Sequence, residues 1–402
     1  MISRPRTDVV VIGGGICGLW LRALLTRSGY GVTLIDRGPL GDGQTMHSQG
    51  ILHRGVKYAF SESARDTSEL LKAAGDRWDQ AMRGEGIVDL RGVASLSPTT
   101  YLWTVGTLDS LTAWTASKAM RSAVHEVGRS GFPPVFAGAP GSVRVWSVDE
   151  PVVDPGSLLN RVLSQGEGAI LRGRVVRLTE NPDGSGVEVG VASGDDPTRR
   201  FEVAASCVVC TAGEGNRELL GLWAGGDEGA CQVRPLRMAM IDGAPFDLYG
   251  HCPRPGSDKP RLTVTTGDRD GSRVWYVGGD VAERGVGQAP AAFHDSIRSE
   301  IARCLPWLRF PGARIASVMI NRAEGRTPGG RRPDGPVVRA FGRVMAVWPT
   351  KLAFTPIAAD MAFKEIHDRV PDAARSVSRD PEIEVEIGRT PWSASGVEWV
   401  RF

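Results

Sequence analysis

The first 36 residues carry the clearest hydrophobic pattern of the chain. Residues 9–12 are continuously apolar and β-branched, which predicts a strand covered on both of its faces. Apolar side chains then recur at helical spacing at Cys17, Leu21 and Leu24, and they predict a helix with one buried stripe. A second apolar run, 31–36, ends in the acidic residue Asp36. We therefore expect a strand, a helix and a second strand, with a glycine-rich turn after the first strand.

The remaining pattern predicts two domains. Helical patterns cover 62–82, 108–127, 155–165, 216–220, 292–304 and 355–370. Extended patterns cover 92–96, 101–105, 169–178, 186–192, 201–211, 234–241, 261–266, 273–277, 331–338 and 344–347. The long strands between 233 and 320, joined by Gly/Asp turns, are typical of a more antiparallel domain. We expect a discontinuous first domain (1–92, 145–232 and 322–402) and a second domain (93–144 and 233–321).

The glycine turn suits a dinucleotide. Gly13 permits the tight turn out of the strand, Gly15 allows a pyrophosphate close to the backbone, and Gly18 allows the helix to pack on the sheet. The N–H groups of the first helical residues then face the anion. Asp36 stands where a ribose hydroxyl needs an acceptor. A secretory signal is disfavoured, because charged residues interrupt the apolar run.

Composition excludes several classes of function. The chain has 402 residues, with 48 basic and 46 acidic side chains and a net charge of +2. This balance lacks the excess of basic residues that is typical of nucleic-acid-binding proteins. Apolar residues make up 41%, but no run is long enough to span a membrane. Cys207 and Cys210 have the C-x-x-C spacing, yet a strand would turn them to opposite faces, which favours core cysteines over a metal or redox pair. No metal site is expected, and the cysteine usage fits the cytoplasm.

The loop after the second strand adds a family resemblance. Its sequence, residues 44–58, reads Q-T-M-H-S-Q-G-I-L-H-R-G-V-K-Y. The chain resembles FAD-dependent oxidoreductases of the D-amino-acid oxidase and glycerol-3-phosphate dehydrogenase type, and this loop is most similar to that of L-2-hydroxyglutarate oxidases. The resemblance implies an α/β fold: a Rossmann-type FAD-binding domain of glutathione-reductase type, with a second α+β substrate domain on a mainly antiparallel sheet.

The same resemblance assigns the expected cofactor residues. FAD is implied as the cofactor, with the loop passing along its ring. The residues expected to bind it are Gly13, Gly15, Ile16, Cys17, Gly18, Asp36, Arg37, Thr45, His47, Ser48, Gln49, Gly50, Val176, Ala212, Gly213, Lys351 and Leu352. In relatives with a G-S-T-W-H-A-A-G loop, a histidine matching His47 bonds covalently to the flavin, and that possibility stays open here.

Four residues are candidates for catalysis. His53 is expected near the substrate as an acid/base, and His47 beside the flavin, although both could be ordinary hydrogen-bonded loop histidines. Lys351 could stabilise negative charge on the reduced ring or be a solvated lysine. Arg326 stands one place before the arginine of the family's W-x-G-x-R-P motif, and it could still bind a substrate anion. Further pocket candidates are Arg234, Arg237, Tyr58, Tyr249 and Tyr276.

The sequence favours an enzyme that takes electrons from an organic substrate. A second G-x-G-x-x-G is missing, so a separate NAD(P)H site is not expected. The leading hypothesis is oxidation of a small, anionic 2-hydroxy acid or an amine, with electrons passing to oxygen or another acceptor. A tailoring oxidase of a larger metabolite, a flavin-binding protein without turnover, and an NAD-only dehydrogenase are the alternatives. No nucleic-acid partner is expected.

Overall fold

The computed structural model describes residues 6–55, 65–105, 124–196, 198–254, 257, 259–371 and 385–402. Tyr58 and most of the helix predicted over 108–127 lie outside these ranges. The end of that predicted helix, Val124–Val127, is a strand, because it pairs with residues 145–148. None of the helices within the described ranges is long and apolar enough to cross a membrane.

Eighteen strands and seven α-helices are defined in the described residues. The strands are β1 (Arg6–Ile12), β2 (Val32–Asp36), β3 (Ser95–Ser97), β4 (Thr100–Thr104), β5 (Val124–Val127), β6 (Arg144–Val148), β7 (Val152–Val153), β8 (Ile170–Glu180), β9 (Val187–Ser193), β10 (Arg200–Cys210), β11 (Cys231–Asp242), β12 (Gly250–Cys252), β13 (Leu262–Arg269), β14 (Ser272–Gly278), β15 (Arg314–Gly325), β16 (Val337–Phe341), β17 (Val344–Trp348) and β18 (Val400–Arg401). The helices are α1 (Ile16–Arg27), α2 (Arg65–Arg83), α3 (Pro155–Leu163), α4 (Asn216–Gly221), α5 (Asp280–Arg284), α6 (Pro290–Cys304) and α7 (Thr355–Arg369).

The first sheet is mixed, with a parallel centre. β1 pairs in parallel with both β2 and β10, and β10 pairs in parallel with β17. β9 runs antiparallel between β8 and β10, and β16 runs antiparallel to β17. The C-terminal ends of β1, β2, β10 and β17 therefore meet at one edge, which is where open α/β sheets bind ligands.

Apolar layers cover both faces of this sheet. Val9 and Val11 lie in a cluster with α1, α3 and α7, whereas Val10 and Ile12 lie in a cluster on the other face. Cys207 and Cys210 divide in the same way, so the prediction that they point to opposite faces is confirmed. Burial raises the pKa of each thiol to about 12, which makes both of them inert core residues.

The second sheet has nine strands in the order β18-β15-β11-β14-β13-β12-β4-β6-β5. All its pairings are antiparallel except the one between β12 and β4. Side chains of α6, including Phe293 and Ile297, cover one face, and the C-terminal Trp392 packs in the cluster on the other. The predicted α/β fold with a mainly antiparallel second sheet is confirmed.

The sheets divide the chain differently from the predicted boundaries. Residues 145–148 were expected in the first domain, but they pair with β4 and β5 in the second sheet. β15 runs across the predicted boundary at 321/322, and β18 adds residues near the C-terminus to the second sheet. Strand pairing over long sequence distances decides these positions, and the local hydrophobic pattern does not report it.

Candidate functional site

A cleft of about 750 Å³ lies between the two sheets. One wall is the edge where β1, β2, β10 and β17 end, together with the loop of residues 41–53. The opposite wall is formed by residues of β11, β12, β13 and β15 and by the start of α5. The cleft is thus bordered by the predicted cofactor elements on one side and by the second sheet on the other.

The glycine turn meets the requirements that its sequence predicted. Gly13 has φ +107°, and a Cβ there would lie 2.6 Å from the backbone of Ala212. A Cβ on Gly18 would lie 2.0 Å from the carbonyl oxygen of Gly13, so only glycine permits this helix–sheet contact. A Cβ on Gly15 would meet only Oγ1 of Thr45, at 3.3 Å. Gly15 therefore faces the cleft, whereas Gly13 and Gly18 are required by packing.

The start of α1 presents backbone donors to the cleft. Ile16 and Cys17 line the cleft at the N-terminus of the helix, where the helix dipole and the N–H groups of the first turn favour an anion. The N–H of Ile16 donates to Oγ1 of Thr45 at 3.1 Å, which anchors the following loop to the helix start. Burial raises the pKa of the Cys17 thiol to about 12, so this side chain is a packing group.

Asp36 lines the cleft at the end of β2, beside Arg37. Its Oδ2 accepts the N–H of Gly14 at 2.5 Å, and its Oδ1 accepts the N–H of Gly38 at 3.0 Å. Burial raises the pKa of this carboxyl above its ordinary value, although the backbone donors oppose the shift. The glycine turn and the acid that a ribose would need are thus joined directly.

The loop of residues 41–53 is fixed against both sheets. His47, Ser48, Gln49 and Gly50, which the sequence predicts to bind the cofactor, all line the cleft. Nδ1 of His47 lies 2.6 Å from the carbonyl oxygen of Gly43. Gln49 donates from Nε2 to the carbonyl oxygen of Tyr276 at 2.9 Å, which ties the loop to the second sheet. Gly50 has φ +69°, and a Cβ there would lie 2.1 Å from the carbonyl oxygen of Val153.

The loop after β17 forms another part of the first wall. Lys351 and Leu352 line the cleft, as do Ala212 and Gly213 after β10. Nζ of Lys351 lies 5.4 Å from the centroid of the Phe354 ring. Thr350 has φ +64°, which is strained for a β-branched residue, and its Oγ1 donates to the carbonyl oxygen of Gly335 at 2.9 Å. The strained turn at Thr350 therefore fixes the backbone position of Lys351.

His53 belongs to a compact cluster with two residues from distant parts of the chain. Nδ1 of His53 lies 2.9 Å from Oε2 of Glu150, whose carboxylate is almost fully buried. The other oxygen of Glu150 accepts the N–H of Arg54 at 3.0 Å. The ring of His251 stacks on that of His53 with centroids 5.8 Å apart, and Nδ1 of His251 lies 2.9 Å from Oγ1 of Thr263. Both histidines line the cleft, so a carboxylate-backed imidazole faces it.

Two predicted residues do not lie where expected. Arg326 lines a separate surface pocket with Arg217 and Arg339. The structure therefore does not support Arg326 as a residue that binds the substrate anion in the main cleft. Val175 lines the cleft in place of Val176, because the register of β8 against β9 shifts between 175 and 177 and turns the side chains by one position.

The other pocket candidates have structural roles. Arg234 makes a two-pronged ion pair with the buried Glu324, at 2.7 Å for each contact. Arg237 lies over the Phe293 ring, and burial raises the pKa of Tyr249 to about 12. Tyr276 is fully buried and donates its hydroxyl to the carbonyl oxygen of His47 at 3.2 Å. None of these four side chains lines the main cleft.

Sequence reasoning missed several polar residues of the cleft region, among them Glu150, His251, Glu283 and Arg322. Arg322 lies on β15, four positions before Arg326. Its NH1 contacts Oε1 of Glu283 at 3.2 Å, while Nζ of Lys259 contacts the other oxygen of Glu283 at 2.5 Å. Burial, together with the charge of Arg234, lowers the pKa of Arg322 below its ordinary value. An arginine on the strand itself, not in the following loop, thus faces the cleft.

The fold and the cleft together define a dinucleotide-binding oxidoreductase in which the cleft lies between a cofactor-binding sheet and a second, mainly antiparallel sheet. A glycine turn, a helix N-terminus and an acid at the end of the second strand stand at the carboxyl edge of the sheet, as a pyrophosphate and a ribose require. The chain belongs to the family of FAD-dependent oxidoreductases, whose model, described as "FAD dependent oxidoreductase", matches residues 8–350. FAD is therefore its cofactor, and the residues of the cleft fit it.

Known relatives agree with this assignment. A protein described as a probable FAD-dependent oxidoreductase of Pseudomonas aeruginosa is 39% identical over 362 residues, which cover 88% of this chain and 89% of the relative. The crystal structure of an FAD-dependent oxidoreductase from Pseudomonas aeruginosa has a TM-score of 0.81 at 32% identity, and covers 98% of this chain and 99% of that one. An FAD-bound L-α-glycerophosphate oxidase of Mycoplasma pneumoniae shares the fold, with a TM-score of 0.63 at 12% identity and coverage of 95% and 98%.

Proposed function

We propose that this enzyme oxidises a small, anionic 2-hydroxy acid or amine, and that His53 accepts the proton of the substrate hydroxyl or amine. FAD, when bound, supplies the hydride acceptor, and electrons then pass to oxygen or another acceptor. The observation that carries the proposal is the contact of 2.9 Å between His53 and the buried carboxylate of Glu150. A 2-hydroxy acid is the substrate class suggested by the loop's likeness to L-2-hydroxyglutarate oxidases.

The cluster suits proton transfer in a defined direction. With Nδ1 of His53 facing the carboxylate of Glu150, we assign the proton of the substrate to Nε2 of the same ring. Glu150 then stabilises the imidazolium that forms, since the carboxylate is buried and held by the N–H of Arg54. The substrate loses one proton to His53 and one hydride to the cofactor, which accounts for the two electrons of the oxidation.

Two cations suit the charges of the reaction. Arg322 lines the cleft on β15 and pairs with Glu283, a partner that a substrate carboxylate can replace, so we assign the substrate anion to Arg322 instead of to Arg326. Lys351 lies on the opposite side, in the loop after β17, where a positive charge favours the reduced state of the cofactor.

Anaerobic mixing of the purified holoenzyme with 2-hydroxy acids and amino acids tests this function. We expect bleaching of the flavin absorbance near 450 nm (roughly its usual position) by members of one class. If only larger metabolites reduce the flavin, the result favours the tailoring oxidase. If no substrate reduces the flavin, the result favours a flavin-binding protein without turnover. Arg322→Met should raise KM for the substrates that reduce the flavin, while the flavin content of the protein stays unchanged.

We further propose that FAD is held without a covalent bond. Nδ1 of His47 is engaged by the carbonyl oxygen of Gly43, and the cradle of Gly15, Asp36 and the start of α1 suffices to hold a dinucleotide. Acid precipitation is the test, because free FAD stays in the supernatant. Yellow colour in the pellet, lost in His47→Ala, would show attachment through His47 instead.

A further inference from the structure

Two histidines and a glutamate have their polar atoms close together at the edge of the cleft. His53 ends the loop of residues 41–53, Glu150 follows β6, and His251 lies on β12. One ligand atom of each side chain lies within 4.8 Å of those of the other two. Glu150 and His251 are buried, and His53 is partly buried. Imidazole and carboxylate groups held this close are a ligand set that transition-metal ions bind.

The spacing of this cluster suits a tetrahedral ion. Nδ1 of His53 lies 2.9 Å from Oε2 of Glu150. A zinc ion with bonds of about 2.0–2.2 Å holds its tetrahedral ligand atoms roughly 3.4 Å from one another. A shift of about 1.4 Å at the widest separation therefore completes the geometry, and rotation of a side chain supplies a movement of that size.

Hydrogen bonds from outside the cluster orient two of its three members. Nδ1 of His251 lies 2.9 Å from Oγ1 of Thr263, its partner on the neighbouring strand β13. The N–H of Arg54 donates to Oε1 of Glu150 at 3.0 Å. Metal-binding histidines commonly use their second ring nitrogen in a contact of this kind, which fixes the orientation of the ring. The contacts of His251 and Glu150 thus match those that surround metal ligands.

The charges beside the cluster also favour a cation. The guanidinium of Arg54 contacts both carboxylate oxygens of Asp79, and its NH1 lies 3.4 Å from Oδ2 of Asp149. The positive charge of Arg54 is therefore shared by two other carboxylates, and it is the backbone N–H of this residue that reaches Glu150. A buried carboxylate is stabilised by a paired charge or a metal ion, and a divalent cation would supply that charge.

We propose that His53, Glu150 and His251 bind one Zn²⁺ ion, with Nε2 of His251 as one ligand atom and the fourth position open to the cleft. Imidazole and carboxylate suit zinc, whereas Mg²⁺ and Ca²⁺ prefer sites made of oxygen ligands alone. Zinc is also redox-inert, so it does not exchange electrons with a flavin in the same cleft. The sequence predicts no metal site, because these three ligands share no local motif.

A bound ion prevents His53 from accepting a proton. A neutral imidazole that binds a metal through one ring nitrogen carries its proton on the other, so neither nitrogen can take the proton of the substrate. Zn²⁺ therefore acts as a reversible inhibitor of flavin reduction while FAD stays bound. This consequence rests on the proposed function, whereas the binding of the ion does not.

Calorimetric titration of the metal-stripped holoenzyme with zinc chloride tests the site, and we expect one ion bound per chain. His251→Gln should weaken binding more than 100-fold, because loss of an outer contact alone costs about 10–100-fold. Thr263→Val removes such an outer contact at nearly constant volume and should weaken binding about 10-fold. His125→Gln, which changes an exposed histidine on β5 outside the cleft, should leave the affinity unchanged.

X-ray absorption at the zinc edge identifies the ligand atoms, and we expect nitrogen and oxygen neighbours. A sulfur neighbour would assign the ion to a cysteine and overturn the site. Equal affinities in wild type and in His251→Gln and Thr263→Val, each with a normal flavin spectrum, would also overturn it, as would the failure of the wild type to bind zinc. None of these three results bears on the proposed oxidation, which would stand.

Anaerobic reduction of the flavin by an active substrate tests the consequence. We expect zinc to slow this reduction in proportion to the fraction of sites occupied, and a chelator to restore it. The zinc concentration that halves the rate should be more than 100-fold higher in His251→Gln, in step with its weaker binding. Zinc that binds at the site without slowing reduction would support the metal site and overturn the role of His53 as the proton acceptor.

Discussion

Nδ1 of His53 lies 2.9 Å from Oε2 of Glu150, although 97 positions of sequence separate the two residues. The histidine comes from the loop that also carries predicted cofactor residues, and the glutamate follows β6 of the second sheet. The pair therefore joins the two halves of the cleft. Its buried carboxylate gives the imidazole a fixed orientation.

Glu150→Gln should slow reduction of the flavin by substrate about 100-fold, with a much smaller change in KM, because general acid–base catalysis contributes about 10²–10⁴-fold. The amide keeps an oxygen for the N–H of Arg54 but loses the charge that stabilises the imidazolium. Single-turnover anaerobic reduction measures the effect, and Glu180→Gln, an exposed change at the end of β8, is the control. An unchanged reduction rate would remove Glu150 from the proton transfer.

Gly15→Ala and Gly18→Ala should separate the cofactor role from the packing role. Gly15→Ala places its methyl group in the cleft beside Oγ1 of Thr45, so we expect loss of FAD with little change in the melting temperature of the apoprotein. Gly18→Ala drives a methyl group against the carbonyl oxygen of Gly13 and should cost about 1–3 kcal/mol of folding free energy. Flavin content and apoprotein melting curves test both. Equal destabilisation by the two variants would contradict the assignment.

Asp242 should contribute stability that depends on acid pH. Its carboxylate is buried and accepts from Arg269 at 2.8 Å, Ser272 at 2.6 Å and Arg314 at 2.5 Å. Burial raises its pKa, but the Ser272 hydroxyl and the two arginines outweigh burial and hold the pKa below the ordinary value of 3.8. Since the folded state binds this proton less tightly than the unfolded state, the contribution is present above pH 3.8 and is lost below it.

Asp242→Asn should therefore lower the free energy of unfolding at pH 7 by about 3 kcal/mol, since it breaks a buried ionic network. Both arginines also lie over the Trp399 ring, so the C-terminal segment should loosen with them. The difference from wild type should shrink as the pH falls from neutral towards 3 (roughly the range in which Asp titrates). Asp247→Asn, which changes an exposed ion pair with Arg273, should have little effect at either pH.

Lys351→Gln should lower the two-electron reduction potential of the bound flavin by about 30 mV, equivalent to about 1.4 kcal/mol, because it removes a positive charge from the cleft. Equilibration with a redox dye of known potential measures the change. Lys364→Gln, on the exposed side of α7, should leave the potential unchanged. Equal potentials in wild type and Lys351→Gln would show that the lysine does not act on the cofactor.

Two misplaced predictions show where sequence reasoning ended. Arg326 was chosen because a loop motif resembled a family pattern, but the β11–β15 register turns Arg322 to the cleft and leaves Arg326 beyond the strand. Val175 lines the cleft instead of Val176, because a register shift in β8 changes which side chains point to the cleft. Both errors arise from strand pairing, which no local pattern of apolar and polar residues reports.

The sequence by itself determined the cofactor half of this protein. Gly13, Gly18 and Asp36 could be assigned because a positive φ, a contact too close for a Cβ and an acid at a strand end are local requirements that only certain residues meet. The tertiary structure alone decided the substrate half. His251 and Arg322 face the cleft because long-range hydrogen-bonded pairing in the second sheet sets which way their side chains point. Glu150 meets His53 because the paired strand β6 brings a distant part of the chain to that loop.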